Sequence, residues 1–185
     1  MQLSRDSIAR AAVEILDEYG LADVSMRRVA TSLGVAPGAL YWHVENKQAL
    51  ITAMAEFILA PVTAFDDPRE TCSEIRRALL AHRDGADVVT AAVSQPNSQL
   101  FSSLVATIRT TLPPDDPHAD AAAEALLFLI LGATNIQQSG TQLQDVTSAP
   151  GTPRGGSVDT AVDLLLLGLK NVSNSVTIES HDNPE

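Results

Sequence analysis

The eleven residues LYWHVENKQAL, 40–50, set Tyr41, Trp42 and His43 side by side just ahead of Asn46 and Lys47, in a chain with only 4% aromatic residues. A phenol O–H, an indole N–H and an imidazole all donate hydrogen bonds, and a lysine adds a point charge, so the group suits phosphate oxygens. A helix buries one stripe and solvates the other, so three consecutive rings cannot all face a core. At least one points outward. The competing possibility is that Tyr41 and Trp42 are core residues and His43 is merely solvated.

The elements that position these rings read as helices. In LSRDSIARAAVEILDEYG, Ser4 suits an N-cap, and Ile8, Ala12, Ile15, Leu16 and Tyr19 recur at helical spacing before Gly20 ends the run. Ser25 opens a second, short helix with Met26, Val29, Ala30 and Leu33 on its buried stripe, and Gly34 closes it. Pro37 suits the first position of a third helix, predicted to run to about Val44 and to bury Leu40. Asn46 caps a fourth through Leu50, Ala53, Met54, Phe57 and Ile58, ended by Pro61. Two short helices joined by a glycine-containing turn form the helix-turn-helix pattern, although any two short helices can imitate it. Gly34 sits where that turn needs positive φ.

Beyond Pro61 the pattern stays helical: one helix ends in SEIRRALLAHRD, DGADVVTAAV makes a shorter one, and Pro96 is read as starting another through Leu100, Leu104 and Ile108. LPPDDPH, 112–118, breaks the pattern before two long apolar helices near 119–138 and 157–173. The stretch 140–156 between them is rich in Gly, Pro, Ser and Thr and reads as a mobile loop, and 174–185 as a frayed tail. The expected class is all-α: a three-helix head with a helix-turn-helix at 1–48, and a larger helical domain at 49–185.

Composition narrows the function. Abundant Ala and Leu with few rings favour helix over sheet. A single cysteine, Cys72, excludes an internal disulfide and a cysteine-rich zinc site. The histidines 43, 82, 118 and 181 are scattered with no second ligand at metal spacing, and no GxSxG, P-loop, HExxH or dinucleotide fingerprint occurs, so neither catalytic residues, metal nor cofactor is expected. His82 and Arg83 read as structural, ending a helix and bonding carbonyls or Asp84. MQLSRDSIAR has no apolar leader core, and the apolar runs at 125–133 and 161–169 are too short to span a bilayer, so a cytoplasmic protein is expected.

The formal charge of −11 argues against nucleic acid until its distribution is considered. Residues 1–48 hold five Lys/Arg against six Asp/Glu, a balance of −1, which leaves −10 on residues 49–185. A nearly neutral head sits on a strongly acidic body.

These residues resemble a family. Residues 4–58 look like the DNA-binding head of the tetracycline-repressor (TetR) family of bacterial regulators, through SMRRVATSLGVAPGALYWHVENKQAL. RRALLAHRDGA, 76–86, is similar to the segment ending a core helix in the ligand domain of the tetracycline repressors. After Val88 only the helical layout is alike. The resemblance implies a ligand-responsive regulator, commonly a repressor, bound to a palindromic operator as a homodimer. Its dimer would pair the helices near 119–138 and 157–173, which are apolar nearly all round.

It also implies roles. Arg27 stands where family members contact a base, and an arginine takes guanine O6 and N7 bidentately. Arg28 reads as a phosphate contact or a solvated charge. Tyr41, Trp42, His43 and Lys47 would clamp the sugar–phosphate backbone, with Trp42 rather than His43 partly packed against the head. Pro37, Gly38 and Ala39 replace the larger recognition side chains of the tetracycline repressors and offer no side-chain donor. A different operator is therefore expected, read by Arg27, backbone contact and DNA shape.

Val89 stands where the tetracycline repressors place a magnesium-binding histidine, so an apolar or uncharged effector is expected instead. Thr63, Thr71, Ile75, Leu79, Val89, Leu104 and Asn135 are the candidate lining, and each also reads as plain core. Two other classes compete: an enzyme, for which no motif speaks, and a helical interaction protein whose head is not used on DNA.

Overall fold

The computed structural model describes residues 3–147 and 158–179, the side chains of 145, 146 and 174–179 excepted. Nine helices follow in order among them: α1 Arg5–Tyr19, α2 Met26–Ser32, α3 Pro37–Leu40, α4 Lys47–Leu59, α5 Pro68–Leu80, α6 Gly85–Val93, α7 Gln99–Arg109, α8 Ala119–Thr147 and α9 Val158–Glu179. A 3₁₀ turn, Leu21–Asp23, joins α1 to α2. The class is all-α, a helix-turn-helix head on a helical body.

Local sequence explains the head. Ser4 and Ser7 cap α1 reciprocally, each side chain accepting the other's backbone N–H. α2 ends in a Schellman motif: the Gly34 N–H reaches the Thr31 carbonyl, the Val35 N–H reaches the Ala30 carbonyl, and Gly34 takes φ +67°. Pro37 opens α3, which lasts a single turn. Beyond Leu40 the chain continues as a tight turn in which the Leu40 carbonyl accepts from His43 and Val44. The third helix is thus shorter than its apolar spacing suggests, and the buried Leu40 and Val44 hold it down. The Asn46 side chain accepts the Ala49 N–H and starts α4 as its capping chemistry predicts.

α4 links the two halves, packing on both α1 and α6. α8 is the central rod of the body, touching α5, α6, α7 and α9. One continuous apolar core runs from Ile8 through Leu16, Leu40, Met54 and Ile75 to Leu127 and Leu169. Each fully buried Leu or Ile there contributes about 1.5–3 kcal/mol.

The body differs from expectation in several places. Ser98, not Pro96, caps α7 by accepting the Phe101 N–H. Residues 140–147 are helical rather than loop, because Gln138 and Gln142 bond to the 79–86 turn and carry α8 onward. Of the predicted loop, 148–156 lie outside the described residues. The tail is helical through Glu179, and 180–185 lie outside the described residues. α8 contains a stretch, Ala119–Gln144, long and apolar enough to cross a bilayer, contrary to the short-run argument. Its inner face, with Ala123, Leu126, Leu127 and Ile130, packs in the protein core.

Candidate nucleic-acid interface

The start of α2, the whole of α3 and the start of α4 form one end of the head. Arg27 is exposed there and takes part in no ion pair among the described residues, as is also true of Lys47 in the first turn of α4. Tyr41 and His43 are exposed, Trp42 is 89% exposed, and Pro37 and Gly38 present open backbone at the head's outer edge. A Cβ added at Gly38 would meet nothing within 4 Å. Trp42 therefore does not pack against the head, contrary to expectation. The turn after Leu40 directs Leu40 and Val44 inward, which leaves the three ring positions between them outside. An indole almost wholly in water is costly to maintain without a partner surface.

Arg28 is committed elsewhere. Its guanidinium lies 3.9 Å from the Tyr19 ring centroid and pairs with Asp23. This joins the end of α1, the 3₁₀ turn and α2 into one unit behind Arg27. Of the remaining head cations, Arg5 pairs with Glu56 and Arg10 lies over Phe57. The basic groups left for a polyanion on this face are Arg27 and Lys47.

A second cluster, not foreseen from sequence as a unit, binds the head to the body. His82 Nδ1 lies 2.9 Å from the Asp17 carboxylate, and the Arg83 N–H donates to the other Asp17 oxygen. Asp84, in the left-handed region at φ +53°, accepts the Leu21 N–H with one oxygen and the Gln142 amide with the other. Gln138 donates to the Leu79 and His82 carbonyls and accepts the Ala86 N–H. The HRDGA motif and the four glutamines in the second half of α8 were the available signals.

The seven positions proposed to line an effector pocket are divided between the core, a connection and the surface. Ile75, Leu79, Val89 and Leu104 are core. Thr71 is buried with its hydroxyl on the Phe65 backbone, pinning the α4–α5 connection. Thr63 is exposed in that connection, and Asn135 donates to Asp87. A cleft of about 280 Å³ lies instead between α5, α8 and α9, lined by Arg69, Glu70, Cys72, Ser73, Arg76, Ile130, Asp159, Val162 and Asp163. Among the described residues no group of three or more His, Cys, Asp or Glu is placed to hold a metal ion.

A helix-turn-helix with an exposed ring-and-cation end, carried on a helical body, defines the class of DNA-binding regulator. Residues 8–54 match the family model described as bacterial regulatory proteins, tetR family. Tetracycline repressor protein class C of Escherichia coli is 34% identical over 151 residues, spanning 75% of this chain and 68% of that protein. The crystal structure of Mycobacterium smegmatis BioQ superposes with a TM-score of 0.79 at 34% identity, covering 91% of this chain and 98% of that one. A BioQ structure with its double-stranded DNA operator gives 0.75 at 34% identity over the same shares. The chain belongs to the TetR family, whose members are ligand-responsive DNA-binding repressors rather than enzymes.

Proposed function

We propose that this chain is a cytoplasmic repressor that binds a palindromic operator as a homodimer and leaves it when a small molecule other than magnesium–tetracycline binds the body. DNA binding is assigned to residues 1–48, and dimerisation and ligand binding to 49–185. The observation that carries the reading is the helix-turn-helix head, where Trp42 stands in solvent between Tyr41 and His43 and where Arg27 and Lys47 are exposed with no ion pair among the described residues. Arg27 reads a base, Lys47 and the rings hold phosphates, and Pro37, Gly38 and Ala39 allow close backbone approach to the groove.

Dimerisation is supported by an exposed apolar surface: Ile136 and Leu143 on α8, and Leu164, Leu167 and Val172 on α9, with Phe128 of α8, stacked on Phe101 of α7, also more than half exposed. Gly132, Gly140 and Gly168 lie on these helices with open space where a Cβ would be, which lets a second copy approach closely. An effector other than magnesium–tetracycline is supported by Val89, an aliphatic core side chain at the position of the metal-binding imidazole. The same absence of a metal-binding imidazole favours an apolar or uncharged effector.

The test is selection of bound sequences from random DNA followed by a salt titration. A palindromic consensus, with log K falling linearly against log salt, is the expected result. Arg27→Ala should erode discrimination at one base step by about 1–3 kcal/mol. A salt-independent association without sequence preference would favour an interaction protein over a regulator.

A further inference from the structure

Asp84 occupies the N-cap position of α6, where an aspartate ordinarily accepts an N–H from the first turn of its own helix. Among the described residues it makes no such bond. The Ala86 N–H of that first turn is taken instead by the Gln138 side-chain oxygen of α8, at 3.0 Å. The Gln138 amide also donates to the Leu79 and His82 carbonyls where α5 ends. One side chain thus serves both sides of the α5–α6 corner. The corner is tightly closed, since a Cβ at Gly85 would collide with the Leu79 carbonyl oxygen.

The carboxylate so released faces the head. One oxygen accepts from the Gln142 amide, a turn along α8 from Gln138, and the other accepts the Leu21 N–H at 2.8 Å. Leu21 opens the 3₁₀ turn that leads directly into α2 and Arg27. We propose that Gln138 and Gln142 are positioning residues for operator recognition. By diverting Asp84 from α6 to the head, they fix the head's angle on the body, and so the half-site spacing that a dimer accepts. This inference rests on the homodimeric, palindrome-binding reading above.

The same helix meets the proposed partner. At about 100° per residue the exposed Ile136 and Leu143 fall on one line of α8, and the two glutamines sit about 130° round the helix from it. α8 is therefore a single rod between the dimer seam and the turn that holds each head. Inserting one base pair between half-sites shifts one of them by about 3.4 Å and turns it by about 35°. Heads held at a fixed angle cannot follow both changes. α1 is tied to the same corner through Asp17, which bonds His82 and the Arg83 N–H without involving α8. Those bonds keep the head docked when the glutamines are replaced, so its angle changes rather than its attachment.

The experiment measures, by fluorescence anisotropy, the affinity of the full chain for its selected palindrome and for versions with one central base pair inserted or deleted. Wild type should lose about a hundredfold on the altered duplexes, one half-site's share of a specificity of about 10³–10⁷. Gln142→Leu should cut that penalty by about tenfold, the worth of one charge-assisted hydrogen bond. Gln138→Leu, which frees the Ala86 N–H to recapture Asp84, should cut it similarly. Gln142→Lys, which keeps a donor for Asp84, should retain the wild-type penalty. Base preference within each half-site and the salt slope should stay unchanged throughout. A merely structural role would weaken all three duplexes alike and lower the melting temperature. A spacing penalty unchanged in Gln142→Leu overturns the proposal, whatever its melting temperature. Should Gln138→Leu fail to fold, Gln142→Leu and Gln142→Lys decide the matter alone. Failure of wild type to select any palindrome overturns the homodimeric reading and this inference with it, and is told apart by arising without any substitution.

Discussion

One carboxylate oxygen of Asp84 accepts the backbone N–H of Leu21 at 2.8 Å, across 63 residues of sequence, and so ties the body's HRDGA turn to the head. Both sides of the contact are left-handed: Asp84 has φ +53° and Gly20, next to Leu21, has φ +89°. A Cβ at Gly20 would lie 3.1 Å from an Asp84 oxygen and 3.3 Å from Arg83 Nε.

Asp84→Ala should therefore cost about 1–3 kcal/mol, because the Leu21 N–H loses its acceptor in a half-buried place. Asp84→Asn keeps one carbonyl acceptor and should lose less. Gly20→Ala, strained by its backbone angle and by contact, should cost at least about 1–2 kcal/mol. Urea unfolding of the three variants measures the order; equal midpoints for Asp84→Ala and wild type would show that the contact contributes nothing.

The head's surface residues should divide by role. Trp42→Ala should change stability by less than about 0.5 kcal/mol, since the indole stands in solvent, yet weaken operator binding. Lys47→Ala should lower the magnitude of the salt slope of the dimer by about 1.8, the share of one phosphate from each protomer. Arg28→Ala should leave that slope unchanged and destabilise the head by about 0.5–2 kcal/mol, through loss of its stacking on Tyr19. Anisotropy titrations at several salt concentrations, paired with thermal melts, separate the three.

A charge in the outer stripe should abolish pairing. Leu164→Glu, at a position 65% exposed, buries a carboxylate in a dimer seam and leaves the monomer core untouched. Sedimentation should show a folded monomer with normal helix content and operator binding weakened many-fold. A variant that remains dimeric would move the interface elsewhere.

Burial, with the Asp67 charge adding to it, pushes the Cys72 thiol up to about 12 from 9.0. An acid whose folded value is raised stays protonated in the fold while the unfolded chain ionises. Stability from this group is thus intact below about pH 9 and falls above it, by at most about 1.4 kcal/mol per pH unit. Cys72→Ser should flatten that alkaline limb. In native protein near pH 8, a thiol reagent should label Cys72 only at the rate of opening.

Much of the head was legible because its signals are local. Ser4, Gly20, Ser25, Gly34, Pro37 and Asn46 act on backbone groups a few residues away, and each stands at the boundary its chemistry predicts. Trp42 was misjudged because the period of a continuous helix was carried past Leu40, where the chain turns more tightly. In the body the same spacing identified apolar stripes but could not say which cavity they border. Ile75, Leu79, Val89 and Leu104 have the same composition whether they line a pocket or fill a core.

The amino-acid sequence alone determined the all-α class, the helix-turn-helix and the family, because periodicity, caps and motif spacing are properties of neighbouring residues. Tertiary packing decided three things: that Arg28 serves Tyr19 and Asp23, that HRDGA holds the head through Asp17 and Leu21, and that the open cleft lies among α5, α8 and α9. Each depends on the angle at which distant helices meet. That angle is set by the sum of many weak apolar contacts rather than by any one residue.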